Sequence, residues 1–260
     1  MTIKNGDFIW YELLTSDADG ACEFYGKLLG WDIEDSGMEG MDYRIISKSG
    51  IPVAGLMPID NTMAEHGARP FWGGYISVHN AKQVVSDLQG KGGKILTPLQ
   101  HLPDVGHFAL IADPQGAMFY LMQPEGEEDS QSFARFEPME GHCAWNELIT
   151  GDQAGALDFY QTVFGWENGE AMDMGDLGQY QMLGVNGYTL GAIMNQPPEM
   201  PLSLWCYYFR VANIPAATQY VRDNGGQIIN GPMQIPGGDF IIQGLDPQGA
   251  MFSLIGKGTE

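Results

Sequence analysis

The alternation of apolar and polar positions predicts a strand over residues 8–14, followed by a helix that starts at Asp17. In that helix Ala18, Ala21, Cys22, Tyr25 and Leu29 recur at close to helical spacing, and Gly30 supplies the stop. Strands are expected next over 43–47 and 52–57, parted by a turn at Ser49-Gly50, and then a polar loop. A second round opens with a strand over 71–78. Asn80 caps a helix that buries Val84, Val85 and Leu88, and Gly92-Gly93 closes it. Strands near 107–112 and 117–122, joined by the turn Asp113-Pro-Gln-Gly, complete the round.

The whole pattern then recurs. Trp10-Tyr-Glu-Leu-Leu-Thr-Ser-Asp17 returns as Trp145-Asn-Glu-Leu-Ile-Thr-Gly-Asp152, and Phe24-Tyr25 with Gly30-Trp31 return as Phe159-Tyr160 with Gly165-Trp166. Asp113-Pro-Gln-Gly-Ala-Met-Phe119 returns letter for letter as Asp246-Pro-Gln-Gly-Ala-Met-Phe252, an identity too long for chance. A strand over 205–211, Asn213 and Gly225-Gly226 match the start of the second round. The chain is therefore expected to be a tandem duplication of one α+β domain, with copies over 1–125 and 138–260. The acidic, Ser- and Gln-containing stretch 126–137 serves as the linker.

The helix ending in Phe-Tyr-x-x-x-x-Gly-Trp and the Asp-Pro-x-Gly turn before the last strand resemble the vicinal oxygen chelate superfamily, which holds glyoxalases, bleomycin resistance proteins and extradiol dioxygenases. The resemblance covers nearly the whole chain. It implies two βαβββ modules per copy, four in all, with curved mixed sheets around cavities and helices outside. Its motifs mark the fold more than any activity, since one fold hosts many chemistries. The resemblance also implies a pseudo-dimer that can stand as a monomer, with a homodimer as the other option.

Composition narrows the partners. With 12 basic against 33 acidic residues the formal charge is −21, which repels nucleic acid phosphates and anionic membrane surfaces. No stretch is long and apolar enough to span a bilayer, and no secretory leader is evident, so a cytoplasmic protein is expected. Cys22, Cys143 and Cys206 form no close pair and are expected as free thiols.

Catalytic members of the superfamily hold a divalent metal through His, Gln or Glu on the first strand of each module and Glu on the last strand. The first-strand ligand lies seven residues before the residue that starts the helix. Counting back from Asp17 and Asp152 gives Trp10 and Trp145, and from Asn80 and Asn213 gives Gly73 and Cys206. The expected glutamates are replaced by Tyr120 and Ser253. These positions do not supply three or four converging donors, so no metal and no cofactor is expected there.

Period-two alternation gives the remaining cavity residues. If Trp10 and Trp145 point inward, so do Glu12 and Glu147, followed by Tyr75 and Ser77 in copy one and Tyr208 and Arg210 in copy two. In the functional reading Trp10, Tyr75 and Tyr120, and Trp145 with Tyr208, form stacking walls, while Glu12, Glu147 and Arg210 orient polar groups. Glu12 and Glu147 are also the candidates for a catalytic base. In the structural reading the glutamates only accept hydrogen bonds, and Arg210 neutralises Glu147. Met118, Met122 and Met251 are expected beside the aromatic walls. His101 and His107 fall around a hairpin, where solvated histidines are the simpler reading.

The function expected is binding of a small, aromatic or amphipathic molecule in a cavity without the usual metal ligands. The alternatives are a lyase or dioxygenase with a displaced metal or a buried glutamate as base, and a scaffold with vestigial cavities. Whether the chain is an enzyme is left open by the sequence.

Overall fold

The computed structural model describes residues 3–126 and 128–258. The first module consists of β1 (Phe8–Thr15), α1 (Ala18–Leu29), β2 (Asp32–Asp35), β3 (Arg44–Lys48) and β4 (Ile51–Pro58), and a short helix α2 (Asn61–Glu65) follows it. The second has β5 (Phe71–Ser77), α3 (Ala81–Gly90), β6 (Lys94–Ile95), β7 (Gln100–Leu102), β8 (Gly106–Ala112) and β9 (Met118–Pro124). The third has β10 (Cys143–Thr150), α4 (Gln153–Phe164), β11 (Glu167–Asp173), β12 (Gln179–Val185) and β13 (Tyr188–Asn195). The fourth has β14 (Leu204–Asn213), α5 (Ile214–Asp223), β15 (Gln227–Gln234), β16 (Phe240–Leu245) and β17 (Met251–Lys257).

Each module runs strand, helix, three strands, with the first of those three broken into β6 and β7 in the second module, where both pieces pair with β8. The first strand pairs in parallel with the last: β1 with β4, β5 with β9, β10 with β13 and β14 with β17. The remaining pairs within a module are antiparallel, which makes both sheets mixed. The helix is what permits the parallel pair, because it carries the chain back to the starting end. This is the α+β arrangement of four βαβββ modules that the repeat predicts. The described residues contain no helix long and apolar enough to cross a membrane.

Helix ends follow local chemistry. The Asp17 carboxylate accepts the N–H of Gly20, and Gly30 ends α1 with φ 62°, a left-handed conformation that glycine takes without steric cost. Asn80 and Asn213 cap α3 and α5 in the same way as the asparagine side chains suggest. The buried side of α1 is Ala18, Ala21, Phe24, Tyr25, Leu28 and Leu29, so the apolar stripe runs through Phe24 and Leu28. Cys22 is half-buried instead, with its thiol 3.3 Å from Arg44 Nη1. Val84 and Val85 are likewise only half-buried, and Leu88 carries the inner face of α3.

Over the described residues the chain forms two compact units, and each combines modules from both copies. One holds residues up to 9 with 74–130 and 146–205; the other holds 10–73, 131–145 and 206 onward. The repeated motifs explain this division. In the second unit Tyr25 donates its hydroxyl proton to Asp246 at 2.9 Å and accepts the indole N–H of Trp72 at 3.1 Å. In the first, Tyr160 donates to Asp113 at 3.1 Å and accepts from Trp205 at 2.9 Å. The tyrosine of one copy's Phe-Tyr pair thus bonds the aspartate of the other copy's Asp-Pro-Gln-Gly turn. The other carboxylate oxygen of each aspartate closes its own turn, accepting from Gln115 and Ala117, or from Gln248 and Ala250. Burial raises both aspartates above the ordinary carboxylate range against these hydrogen bonds. Within the stretch 126–137, Phe133 is buried and bridges to Cys143 in the second unit.

Candidate functional site

Trp10 and Glu12 stand two apart on β1, and what joins them is Tyr43, just before β3. The Trp10 indole donates to the Tyr43 hydroxyl at 3.0 Å, and the same hydroxyl is hydrogen-bonded to Glu12. The register sets Glu12 opposite Gly55 of β4. A Cβ at Gly55 would lie 2.0 Å from the Tyr43 hydroxyl, so the absence of a side chain there makes the room that the phenol occupies. Burial, with the nearby Glu12 charge, pushes the Tyr43 hydroxyl well above the usual tyrosine range. Tyr43 therefore acts as a proton donor to a buried carboxylate.

Copy two repeats the bond between tyrosine and glutamate. Glu147 on β10 is buried and accepts the Tyr180 hydroxyl proton at 2.7 Å, both within the first unit. Its neighbour Asn146 is fully buried, and its side-chain amide donates to the Leu190 carbonyl at 2.8 Å. Trp145 is half-buried, with the Cys143 thiol on its carbonyl at 3.4 Å. Burial raises that thiol to about 12, which leaves it unreactive at neutral pH.

Tyr75 and Tyr120 are partners on the parallel strands β5 and β9, and their rings stack at 4.3 Å with 7° between planes. They belong to the first unit, whereas Trp10 belongs to the second. Ser77, next along β5, gives its hydroxyl to the Lys4 carbonyl. Met118, expected beside these rings, is exposed because it sits at the open start of β9. Met122 is buried as expected.

In the fourth module the Tyr208 hydroxyl belongs to a polar network. Gln243 of β16 donates to the Tyr208 hydroxyl at 2.9 Å and approaches Cys206 Sγ at 3.7 Å, while Asn230 donates to its carbonyl at 3.1 Å. Tyr208 lies opposite Ser253 in the parallel register of β14 and β17. Arg210, set against Glu147 in the sequence reading, instead pairs with Asp239 at 2.9 Å, and Lys257 reaches the other oxygen at 2.6 Å. Although burial pulls the other way, the bonds from Lys257 and Arg210 hold Asp239 below the usual carboxylate range. The Arg210 Nε is buried without a hydrogen-bond partner.

Sequence reasoning reached Trp10, Glu12, Trp145 and Glu147 but not Tyr43, Tyr180, Gln243, Asn230 or Asp239. The duplication carries a signal for the first two, since each copy has a tyrosine at the start of the strand before the glycine- and alanine-containing strand.

Comparison with known proteins agrees with the duplication. The family model described as the Glyoxalase/Bleomycin resistance protein/Dioxygenase superfamily matches twice, over residues 8–121 and 141–254. CFP32 of Mycobacterium tuberculosis, provisionally named a glyoxylase, is 32% identical over 256 residues, 97% of this chain and 95% of that protein. The anthracycline biosynthesis protein DnrV of Streptomyces peucetius is 27% identical, covering 95% of this chain and 91% of its own. Among solved structures, the 2,3-dioxygenase LapB from Pseudomonas sp. KL28 superposes with a TM-score of 0.63 at 14% identity, over 99% of this chain and 93% of its own. With its two matched repeats and four βαβββ modules, the chain belongs to the glyoxalase/bleomycin resistance protein/dioxygenase superfamily.

Proposed function

We propose that the protein binds a small aromatic or amphipathic molecule in a cavity that lacks the usual metal ligands of its superfamily. The observation that carries this reading is the paired replacement in both copies. Counted back from each helix start, a tryptophan falls where the superfamily pattern has its first-strand metal ligand, and the glutamate two residues on is hydrogen-bonded to a tyrosine hydroxyl, Tyr43 for Glu12 and Tyr180 for Glu147. Indole and phenol rings offer stacking surface, and the carboxylates offer acceptors for a polar group of the ligand. The similarity to a protein named for anthracycline biosynthesis supports an aromatic ligand.

Tryptophan fluorescence quenching and thermal shift against a panel of polycyclic quinones and amphipathic aromatic acids test this reading. Glu147→Gln is expected to weaken the best binder about tenfold, the loss of one charge-assisted hydrogen bond of roughly 1.5 kcal/mol. Unchanged affinity would return Glu147 to a structural role.

A second reading, a lyase with Glu12 or Glu147 as base, is favoured by the chain of donors from Trp10 through Tyr43 to Glu12, which positions a carboxylate beside a phenol. It predicts that Tyr180→Phe lowers turnover of a glutathione hemithioacetal by about 10²-fold or more while leaving KM within a few fold. Absence of any turnover by the wild-type protein would dismiss it.

A further inference from the structure

We propose that the rim of the second module is a binding site for one borderline divalent cation of the zinc, cobalt or nickel type, held by His101, His107 and Glu125. This site stands apart from the first-strand positions where the superfamily carries its metal, and it does not depend on the ligand reading above.

The three side chains share one face of three adjacent strands. His101 on β7 and His107 on β8 are direct partners in the antiparallel register, which sets both side chains on the same face. His107 is also opposite Gln123 of β9, and Glu125 lies two residues beyond Gln123. The pairing continues past the end of β9, since the Glu125 N–H donates to the Val105 carbonyl at 3.1 Å. Period-two alternation then returns Glu125 to the face of the two imidazoles.

One donor atom from each of the three residues lies within 4.8 Å of the others. A tetrahedral ion with bonds near 2.0 Å holds its ligand atoms about 3.3 Å apart. Two of the three side chains are exposed and the third half-buried, which leaves them room to rotate toward that spacing. The His101 and His107 rings already lie 4.5 Å apart between centroids. His101 Nε2 and Glu125 Oε1 are 2.6 Å apart across a shared proton, which a cation would replace.

Two features point to a ligand beyond simple proximity. The Nδ1 of His107 is buried with no hydrogen-bond partner, a costly state for an imidazole nitrogen that an ion would relieve. The second Glu125 oxygen is fixed by the Asp104 N–H at 3.0 Å, so the carboxylate is oriented from outside the ligand set. Two imidazoles and one carboxylate match the donor set of open zinc sites, with water in the fourth position.

The duplicated hairpin gives an internal comparison. Aligning Asp113 with Asp246 sets His101, His107 and Glu125 against Gln234, Phe240 and Gly258. Gln234 and Phe240 are again cross-strand partners, so the fold builds the same hairpin without these ligands. The site therefore belongs to copy one, and one ion per chain is expected.

Calorimetric titration of the whole, chelator-stripped protein with Zn²⁺ at neutral pH is the test. The wild type is expected to bind one equivalent. His107→Phe, the residue of the sister hairpin, and Glu125→Gln, an exposed change, should each weaken that event by about tenfold or more, since even outer partners of a metal site change affinity by that much. His66→Ala should leave it unchanged, as the His66 ring is exposed and hydrogen-bonded to the Thr62 carbonyl of the short helix beside it. No zinc binding by the wild type, or binding of equal affinity and stoichiometry in both His107→Phe and Glu125→Gln, would overturn the proposal.

Discussion

Asp246→Ala is expected to destabilise the protein by about 4 kcal/mol, because it strands three donors at once, two of them buried and one part-buried. The Tyr25 hydroxyl and the N–H groups of Gln248 and Ala250 all bond this carboxylate, at 2.9, 3.0 and 2.8 Å. Tyr25→Phe removes only the first of these and leaves the Trp72 indole N–H without its acceptor, for an expected loss of about 2 kcal/mol. Urea unfolding of the two variants at neutral pH separates the contributions. A loss below about 1 kcal/mol for Asp246→Ala would mean that water replaces the network and that the motif does not hold the unit together.

The same residue makes a pH prediction with a definite sign. Burial raises Asp246 above its ordinary 3.8 in the folded protein, so the folded state binds this proton more tightly than the unfolded chain. That contribution is fully present below the unfolded value and is lost as pH rises through the folded one. The stability difference between wild type and Asp246→Ala should therefore grow as pH is lowered from 7 toward 4. Asp113, raised for the same reason and bonded to Tyr160, should behave alike in the first unit.

Much of this frame is legible in the residues. The repeated Phe-Tyr and Asp-Pro-Gln-Gly segments predict two copies of one domain, and local periodicity places the principal strands and helices. What the letters do not carry is the partnership of the motifs, since Tyr25 and Asp246 are separated by nearly the whole chain and each copy contains an equivalent aspartate. Elements without a period were also missed. β6 and β7 are too short to alternate, α2 lies in a stretch that reads as polar loop, and β15 is exposed almost throughout, so it shows no apolar face.

The site divides along the same line. Trp10 and Glu12 follow from two-residue spacing on one strand, whereas Tyr43 reaches them from a neighbouring strand end. Gln243 had no signal in the duplication, because its counterpart in copy one is Leu110. Arg210 was paired by charge with Glu147, yet Asp239 lies on the neighbouring hairpin with Lys257 and takes that role at shorter chain distance. Charge complementarity in a sequence does not choose among several carboxylates; strand register does.

Gly191→Ala is expected to cost about 3 kcal/mol or more, beyond the usual effect of an added methyl, because the obstacle is backbone. Gly191 of β13 faces Asn146 of β10, and a Cβ there would lie 1.7 Å from the Asn146 carbonyl oxygen. No side-chain rotation relieves such a contact, so β13 must move away from β10 and strain the parallel register that runs from Asn146 to Thr150. β12 is paired to β13 and carries Tyr180, so the movement would also draw the phenol off Glu147. Gly169→Ala is the control: it lies in β11, and its added Cβ would meet nothing nearer than 3.4 Å. Urea unfolding should separate the two variants by at least about 2 kcal/mol. Equal stability would mean that the sheet absorbs the methyl and that close strand approach does not set the Glu147 position. Copy one uses its glycine differently, since Gly55 faces Glu12 and leaves room for the Tyr43 hydroxyl instead of for backbone. Gly55→Ala should consequently displace Tyr43 at a smaller cost, about 1 to 3 kcal/mol, so the two copies hold their carboxylates by the same tyrosine bond but protect it with glycines one register position apart.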